Sequence, residues 1–209
     1  MIPNQISITH PDKILFPETT YTKKDIIDYY EKISSYILPY MRHRPLVMSV
    51  FPDGIKEAGF YLKNKPNYYP DWIKSIEVEK KSGGKINHIV CDDKKTLIYL
   101  INKGCLTLHT FLSQEVDLNH PDQMIFDLDP STDDYKLVKK GALKLKEVLD
   151  GFNLKSNVML TGSEGCHIIV PIIANLSFDQ VRDIANMIAE KVVKAYPNEF
   201  TLEQRKEKR

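Results

Sequence analysis

Six short runs rich in branched and aromatic residues, LVMSVF, SIEVEK, INHIVC, LTLHTF, MIFDLD and HIIVPII, share the chain with only three stretches of clear helical periodicity. Each run is bounded by Gly, Pro, Asp or Asn, as strands in compact domains are. Strands that outnumber helices and do not alternate with them predict a mixed α+β fold rather than a doubly wound parallel sheet. The first helix is expected in TKKDIIDYYEKISSYILPYM, with Thr22 as N-cap and Ile26, Ile27, Tyr30, Ile33 and Ile37 at helical spacing. A second is expected from about Asp133 to Asp150, with Gly151 as its stop, and a third from the Ser177/Gln180 capping box toward Tyr196. The Gly83-Gly84 pair in EKKSGGKINH reads as a hairpin turn, and the charged TLEQRKEKR as a frayed end. Two lobes are expected, at 1–115 and 116–209, without a clear linker.

Within this frame the chain's 209 residues, 42% of them hydrophobic, suffice for one sizeable core or two small ones. Its 29 Lys and Arg nearly balance its 28 Asp and Glu, so any anion site must be a local patch rather than a general field. Cys91, Cys105 and Cys166 are odd in number and widely spaced, which argues against a disulfide framework or a zinc site and for a reducing, cytoplasmic setting. The opening MIPNQISITHPDK has no apolar stretch of signal-peptide type, and no window approaches membrane-spanning length, so an unexported protein without a membrane partner is expected.

The strongest local signal is MIFDLDPSTDD. Alternate side chains of a strand share a face, so Asp127 and Asp129 point together while Phe126 and Leu128 point the other way. Carboxylates about 6 to 7 Å apart at Cα repel, and a hard divalent cation relieves that repulsion. Such a pair suits phosphoryl transfer; it also suits a plain turn and helix cap before Pro130. In LTGSEGCHIIVPI, the hydroxyls of Thr161 and Ser163, loop N–H groups and His167 can cradle phosphate oxygens, or can simply make a hairpin with a half-buried histidine. His109 in LTLHTF is expected to face the same way as Thr107 and Phe111. Phe60, Tyr61 and Lys63 in GFYLK combine stacking surface with a cation, although strand aromatics are commonly core. Lys13, Lys23 and Lys24 surround a Pro-bounded loop entering a helix, a place for a terminal phosphate or for ordinary surface lysines.

In order, HPDKILFPETTYTKKDIIDYY, RPLVMSVFPDG, GFYLKNKPNYYPDW, KGCLTLHTFLS, PDQMIFDLDP and TGSEGCHIIVP resemble the landmarks of the polymerase domain of bacterial ligase D, the primase-polymerase module of non-homologous end joining. The resemblance is collinear over nearly the whole chain. It implies a primase-polymerase fold, with an RRM-like mixed or antiparallel sheet core, helices and an N-terminal α/β lobe. It also implies a nucleotidyltransferase that uses Mn²⁺ or Mg²⁺ to add nucleotides at DNA ends or gaps. Asp127 and Asp129 match the family's metal ligands. His109, Thr161, Ser163 and His167 match positions around the incoming nucleoside triphosphate. Lys13 and Lys23 match the pair that holds a 5′-phosphate, and Phe60 and Tyr61, followed by Lys63, match residues near the template. Implied partners are 5′-phosphorylated DNA ends, a ligase and an end-binding protein.

Three departures accompany the resemblance. The family's third acid lies a few residues beyond a segment like TLEQRKEKR, and the sequence stops at Arg209, so a C-terminally truncated domain is expected. Met48, Ser49 and Val50 stand where many relatives carry basic residues, and Glu164 where a basic residue is usual. The competing expectations are a catalytically impaired module that docks 5′-phosphorylated ends, and a small metal-dependent phosphoesterase needing further acids or histidines near Asp127.

Overall fold

A computed structural model of the chain describes residues 6–80, 82–132 and 134–203. The chain divides between Val116 and Asp117 into two compact units, and each has its own apolar cluster.

Local polar chemistry sets where the first unit's main helix starts. A short antiparallel ladder of β1 (Ile14–Phe16) and β2 (Tyr21–Thr22) leads into α1 (Lys23–Met41). The Thr22 hydroxyl accepts the Asp25 N–H at 3.2 Å, and Asp25 accepts the Thr22 N–H at 2.8 Å, closing a reciprocal capping box. The expected N-cap is therefore the observed one. Ile27, Leu38 and Met41 turn from α1 into the core.

Three strands follow the helix: β3 (Leu46–Val50), β4 (Phe60–Leu62) and β5 (Ser75–Glu79). Then come β6 (Lys85–Ile89), α2 (Lys94–Asn102) and β7 (Cys105–Thr110). Strands β4, β3 and β7 form an antiparallel sheet with β3 in the centre. Period-two alternation buries Leu46, Met48 and Val50 completely or nearly so and turns Val47 and Ser49 outward. Met48 and Val50 are thus core residues, and only Ser49 of that trio faces out. Strands β5 and β6 form the expected hairpin, with Gly83 and Gly84 at φ of +87° and +81°, conformations that side chains resist.

Helix α2 is not among the expected elements. Leu97, Ile98, Leu100 and Ile101 are all buried and crowd into five positions, and so short an apolar run does not separate helix from strand by its period. Its one local signal is Asp93, whose carboxylate accepts the Thr96 N–H at 2.8 Å as an N-cap. Each such fully buried Leu or Ile contributes about 1.5–3 kcal/mol relative to exposure. Phe111 falls just past the end of β7, and its ring packs edge-on against buried His88 at 4.9 Å rather than extending the alternation of Thr107 and His109.

The second unit contains β8 (Gln123–Leu128), α3 (Tyr135–Gly151), β9 (Asn157–Leu160), β10 (Cys166–Pro171) and α4 (Phe178–Ala195). Its sheet order is β8-β10-β9, with both pairings antiparallel, so β8, α3 and β9 make a split β-α-β unit with β10 inserted. Met124 and Phe126 of β8 and Ile168 and Val170 of β10 pack with Val138, Leu145 and Leu149 of α3 and with Ile188 and Val192 of α4. Asp134 caps α3, and the Ser177/Gln180 capping box opens α4 as expected. Gly151 is helical rather than a stop; Asn153 takes the left-handed turn after α3, at φ of +57°.

The fold is thus mixed α+β with antiparallel sheets. All three cysteines are buried and unpaired. No helix among the described residues is long and apolar enough to cross a membrane. The expected start of α3 at Asp133, the expected fraying of residues 204–209 and the first five residues of the expected unexported start lie outside the described residues.

Candidate active site

Strand β8 carries Asp127 on the exposed face of its sheet, and Asp129 follows just past the strand's end. Phe126 is buried, Leu128 packs against the core, and Asp127 points the other way with 60% of its side chain exposed. Asp127 is paired in register with His167 on β10, so the two share that face, with His167 Nε2 3.4 Å from Asp127 Oδ1. His167 Nδ1 is buried and has no hydrogen-bond partner among the described residues. An orphaned ring nitrogen is cheapest as a bare lone pair, which puts the proton of a neutral His167 on Nε2, toward the carboxylate.

Asp129 lies one residue past β8, where the backbone of Gly165 crosses it. A β-carbon at Gly165 would sit 2.4 Å from the Leu128 carbonyl oxygen and 2.8 Å from Asp129 Oδ1. The second glycine of T-G-S-x-G therefore serves close approach to the second acid. Thr161 braces the same loop: its hydroxyl donates to the Gly165 carbonyl at 3.0 Å and lies 3.4 Å from the Ser163 nitrogen. Its proton is thus engaged within the loop, which leaves Ser163, exposed at the tip, as the more available hydroxyl.

On the first unit's sheet, Ser49, Tyr61, Thr107 and His109 occupy one outward face. The Ser49 hydroxyl lies 3.1 Å from His109 Nε2, and the Tyr61 ring is 6.1 Å from the imidazole. Phe60 and Tyr61 are both exposed, at 53% and 68%, because β4 is an edge strand of only three residues. Exposed Lys63 follows just beyond it.

The two candidate phosphate-binding lysines differ sharply. Lys13 is paired with exposed Asp53, whereas Lys23 is buried and donates to the Thr9 carbonyl at 2.7 Å and the Thr9 hydroxyl at 2.9 Å. Burial holds the Lys23 ammonium below the ordinary lysine range, and the charges of Lys103 and Lys13 depress it further. A cavity of about 150 Å³ opens beside it, lined by Leu15, Lys23, Pro52, Asn102, Lys103 and Gly104. Lys103 and Asn102, at the end of α2, line this cavity but are absent from the residues that motif spacing singles out, because α2 itself is not among the expected elements. Lys24 is exposed and pairs with Asp28 on the helix surface.

Among the described residues, one set of three potential ligands, His43, Asp92 and Glu115, gathers its donor atoms within 4.8 Å. Lys74 already bonds both carboxylates there. Burial pushes both acids upward, but Lys74 and His43 outweigh it and hold them below the usual carboxylate range. This cluster is an ion-pair clasp between segments of the first unit.

The sequence model of the LigD primase-polymerase domain matches residues 22–209. The chain belongs to that family. Over 202 residues it is 33% identical to the bifunctional non-homologous end joining protein LigD of Bacillus subtilis, covering 96% of this chain and 32% of that protein. It is 25% identical to the multifunctional LigD of Mycolicibacterium smegmatis, covering 94% of this chain and 26% of that one. This LigD-family chain thus spans a third or less of the length of these relatives. In three dimensions it matches the polymerase domain of Mycobacterium tuberculosis ligase D, solved in complex with DNA, with a TM-score of 0.91 at 24% identity, over 98% of this chain and 74% of that one. That likeness establishes the primase-polymerase fold.

Asp127, largely exposed on β8, and Asp129, just past its end and against Gly165, are hard oxygen donors of the kind Mg²⁺ or Mn²⁺ takes, commonly one or two carboxylates with water and substrate oxygens completing the shell.

Proposed function

We propose that the chain is the polymerase module of a bacterial end-joining repair system, acting in the cytoplasm as a metal-dependent nucleotidyltransferase at DNA ends and gaps. The observation that carries this reading is the pairing of Asp127 with His167 across β8 and β10, with Gly165 packed against Asp129, in a chain of the LigD primase-polymerase family.

In this reading a primer 3′-hydroxyl loses its proton to solvent and attacks the α-phosphate of a nucleoside triphosphate, a new phosphodiester bond forms, and pyrophosphate leaves with the electron pair of the broken bond. Asp127 and Asp129 hold Mn²⁺ or Mg²⁺, which when bound stabilises the charge that develops on the phosphoryl oxygens. His167 orients Asp127 through its Nε2 proton. Ser163 and the Thr161-braced loop donate to phosphate oxygens. On the first unit's sheet, His109 is a donor for a nucleotide phosphate. Tyr61 and Phe60 offer exposed rings for base stacking, with Lys63 as a nearby cation for the backbone.

The buried ammonium of Lys23, with Lys13 and the adjoining cavity, receives the 5′-phosphate of a downstream strand. An anion there would relieve the repulsion that Lys23 suffers from Lys103 and Lys13. A ligase and an end-binding protein are the partners such a module would serve.

Primer extension on gapped duplexes, with and without a downstream 5′-phosphate and with Mn²⁺ or Mg²⁺, tests the proposal. Incorporation stimulated by the 5′-phosphate is expected. Tight phosphate-dependent binding with no incorporation under either metal would instead establish the end-docking module.

A further inference from the structure

Ser49 and His109 sit on adjacent antiparallel strands, one register step apart: Ser49 is opposite Thr107, and His109 is opposite Val47. Both side chains face outward, and the hydroxyl lies 3.1 Å from Nε2. Nδ1 hydrogen-bonds no described residue, and the imidazole is exposed, with the Tyr61 ring 6.1 Å away. Ser49 is held rigidly, since its neighbours Met48 and Val50 are buried in the core. The pair is therefore a built contact on a fixed sheet rather than two mobile surface groups meeting by chance.

We infer that Ser49 is a positioning residue that sets the tautomer of His109, so that Nδ1 is an N–H donor presented to an anionic phosphate oxygen. A serine hydroxyl can both donate and accept. In the arrangement inferred, it donates to the Nε2 lone pair of the neutral imidazole, which leaves the ring proton on Nδ1. Toward an imidazolium it rotates and accepts from Nε2–H, and Nδ1 still carries a proton. With the hydroxyl as donor to the neutral ring, Nδ1 carries a proton in both protonation states, which is what an incoming phosphate requires and what an unsupported histidine does not guarantee.

This inference rests on the proposed nucleotide-binding role of His109 for its ligand, but not for the hydrogen bond itself. Nitrogen-detected NMR of the free protein is expected to show neutral His109 as the Nδ1–H tautomer. Ser49→Ala should shift it toward Nε2–H, and Ser49→Thr should restore it. In titrations with ATP and Mn²⁺, Ser49→Ala should weaken binding about 3- to 10-fold, the worth of one ordinary hydrogen bond, and Ser49→Thr should recover it. In primer extension the loss should appear in KM more than in kcat. A wild-type Nε2–H tautomer, or one unmoved by Ser49→Ala, overturns the inference. So does an unchanged ATP affinity in Ser49→Ala when wild type binds. If wild type neither binds ATP nor extends primers, the proposed function falls, and the tautomer result alone decides the role of Ser49.

Discussion

Gly165 and Asp129 are in such close contact that the glycine's missing β-carbon would lie 2.8 Å from the aspartate Oδ1. The carbonyl oxygen of Leu128, closer still at 2.4 Å, is backbone and cannot swing aside. The loop that carries Ser163 and the strand end that carries the second acid are therefore locked through a residue with no side chain.

Gly165→Ala should accordingly displace Asp129 from the strand end. We expect about 1–3 kcal/mol of destabilisation from overpacking and a loss of primer extension larger than the stability loss explains. Comparing urea denaturation with single-turnover incorporation on the same preparation checks this. A fully active, equally stable variant would show that the loop and the acid are not coupled.

Asp127→Asn removes one charge while keeping the side chain's shape. Because Asp127 is largely exposed, its stability should change by no more than about 0.5 kcal/mol, yet incorporation should fall about 100-fold or more, since a metal's stabilisation of phosphoryl charge amounts to several kcal/mol. Mn²⁺ titration of wild type and variant, followed through incorporation rate, reads the difference directly.

Lys23→Met should weaken discrimination between 5′-phosphate and 5′-hydroxyl ends about 10- to 100-fold, as expected for a lost charge-assisted hydrogen bond. The same residue has a pH signature. Its folded-state pKa is depressed below 10.5, so between that depressed value and 10.5 the unfolded chain binds more protons, and wild-type stability should rise with pH relative to Lys23→Met. Denaturation of both proteins at about pH 8 and pH 10 measures it; a parallel dependence would contradict the burial of this ammonium.

Lys74→Met leaves Asp92 and Glu115 facing each other with only His43 beside them. The pair is partly exposed, so the cost at neutral pH is about 1 kcal/mol. Both acids have folded-state pKa values below their ordinary 3.8 and 4.5, so their contribution is present above those values and lost as pH falls through the folded ones. Wild type should lose its advantage over Lys74→Met on acidification from about pH 7 to pH 3, a comparison that urea midpoints can follow.

Much of this protein was legible in its residues because the signals are local. Thr22 with Asp25, Ser177 with Gln180, and Gly83 with Gly84 act within three residues or fewer, and the structure forms each cap and turn as expected. The face assignment of Asp127 follows from period-two alternation alone. Helix α2 was not legible, since its nine residues are too short a run, with Leu97, Ile98, Leu100 and Ile101 crowded together, for the period to separate helix from strand. Nor was the end of α3, where Asn153 rather than Gly151 takes the left-handed turn.

By itself, then, the order of motifs determined the family, the α+β class and the candidate acids. Only tertiary structure decided that Gly165 abuts Asp129, that His167 faces Asp127, that Ser49 engages His109, and that Lys23 is the buried member of the lysine pair while Lys13 pairs with Asp53. The physical reason is range: caps and alternation depend on neighbours along the chain, whereas these contacts depend on strand register and on burial, which exist only once distant segments pair and exclude water.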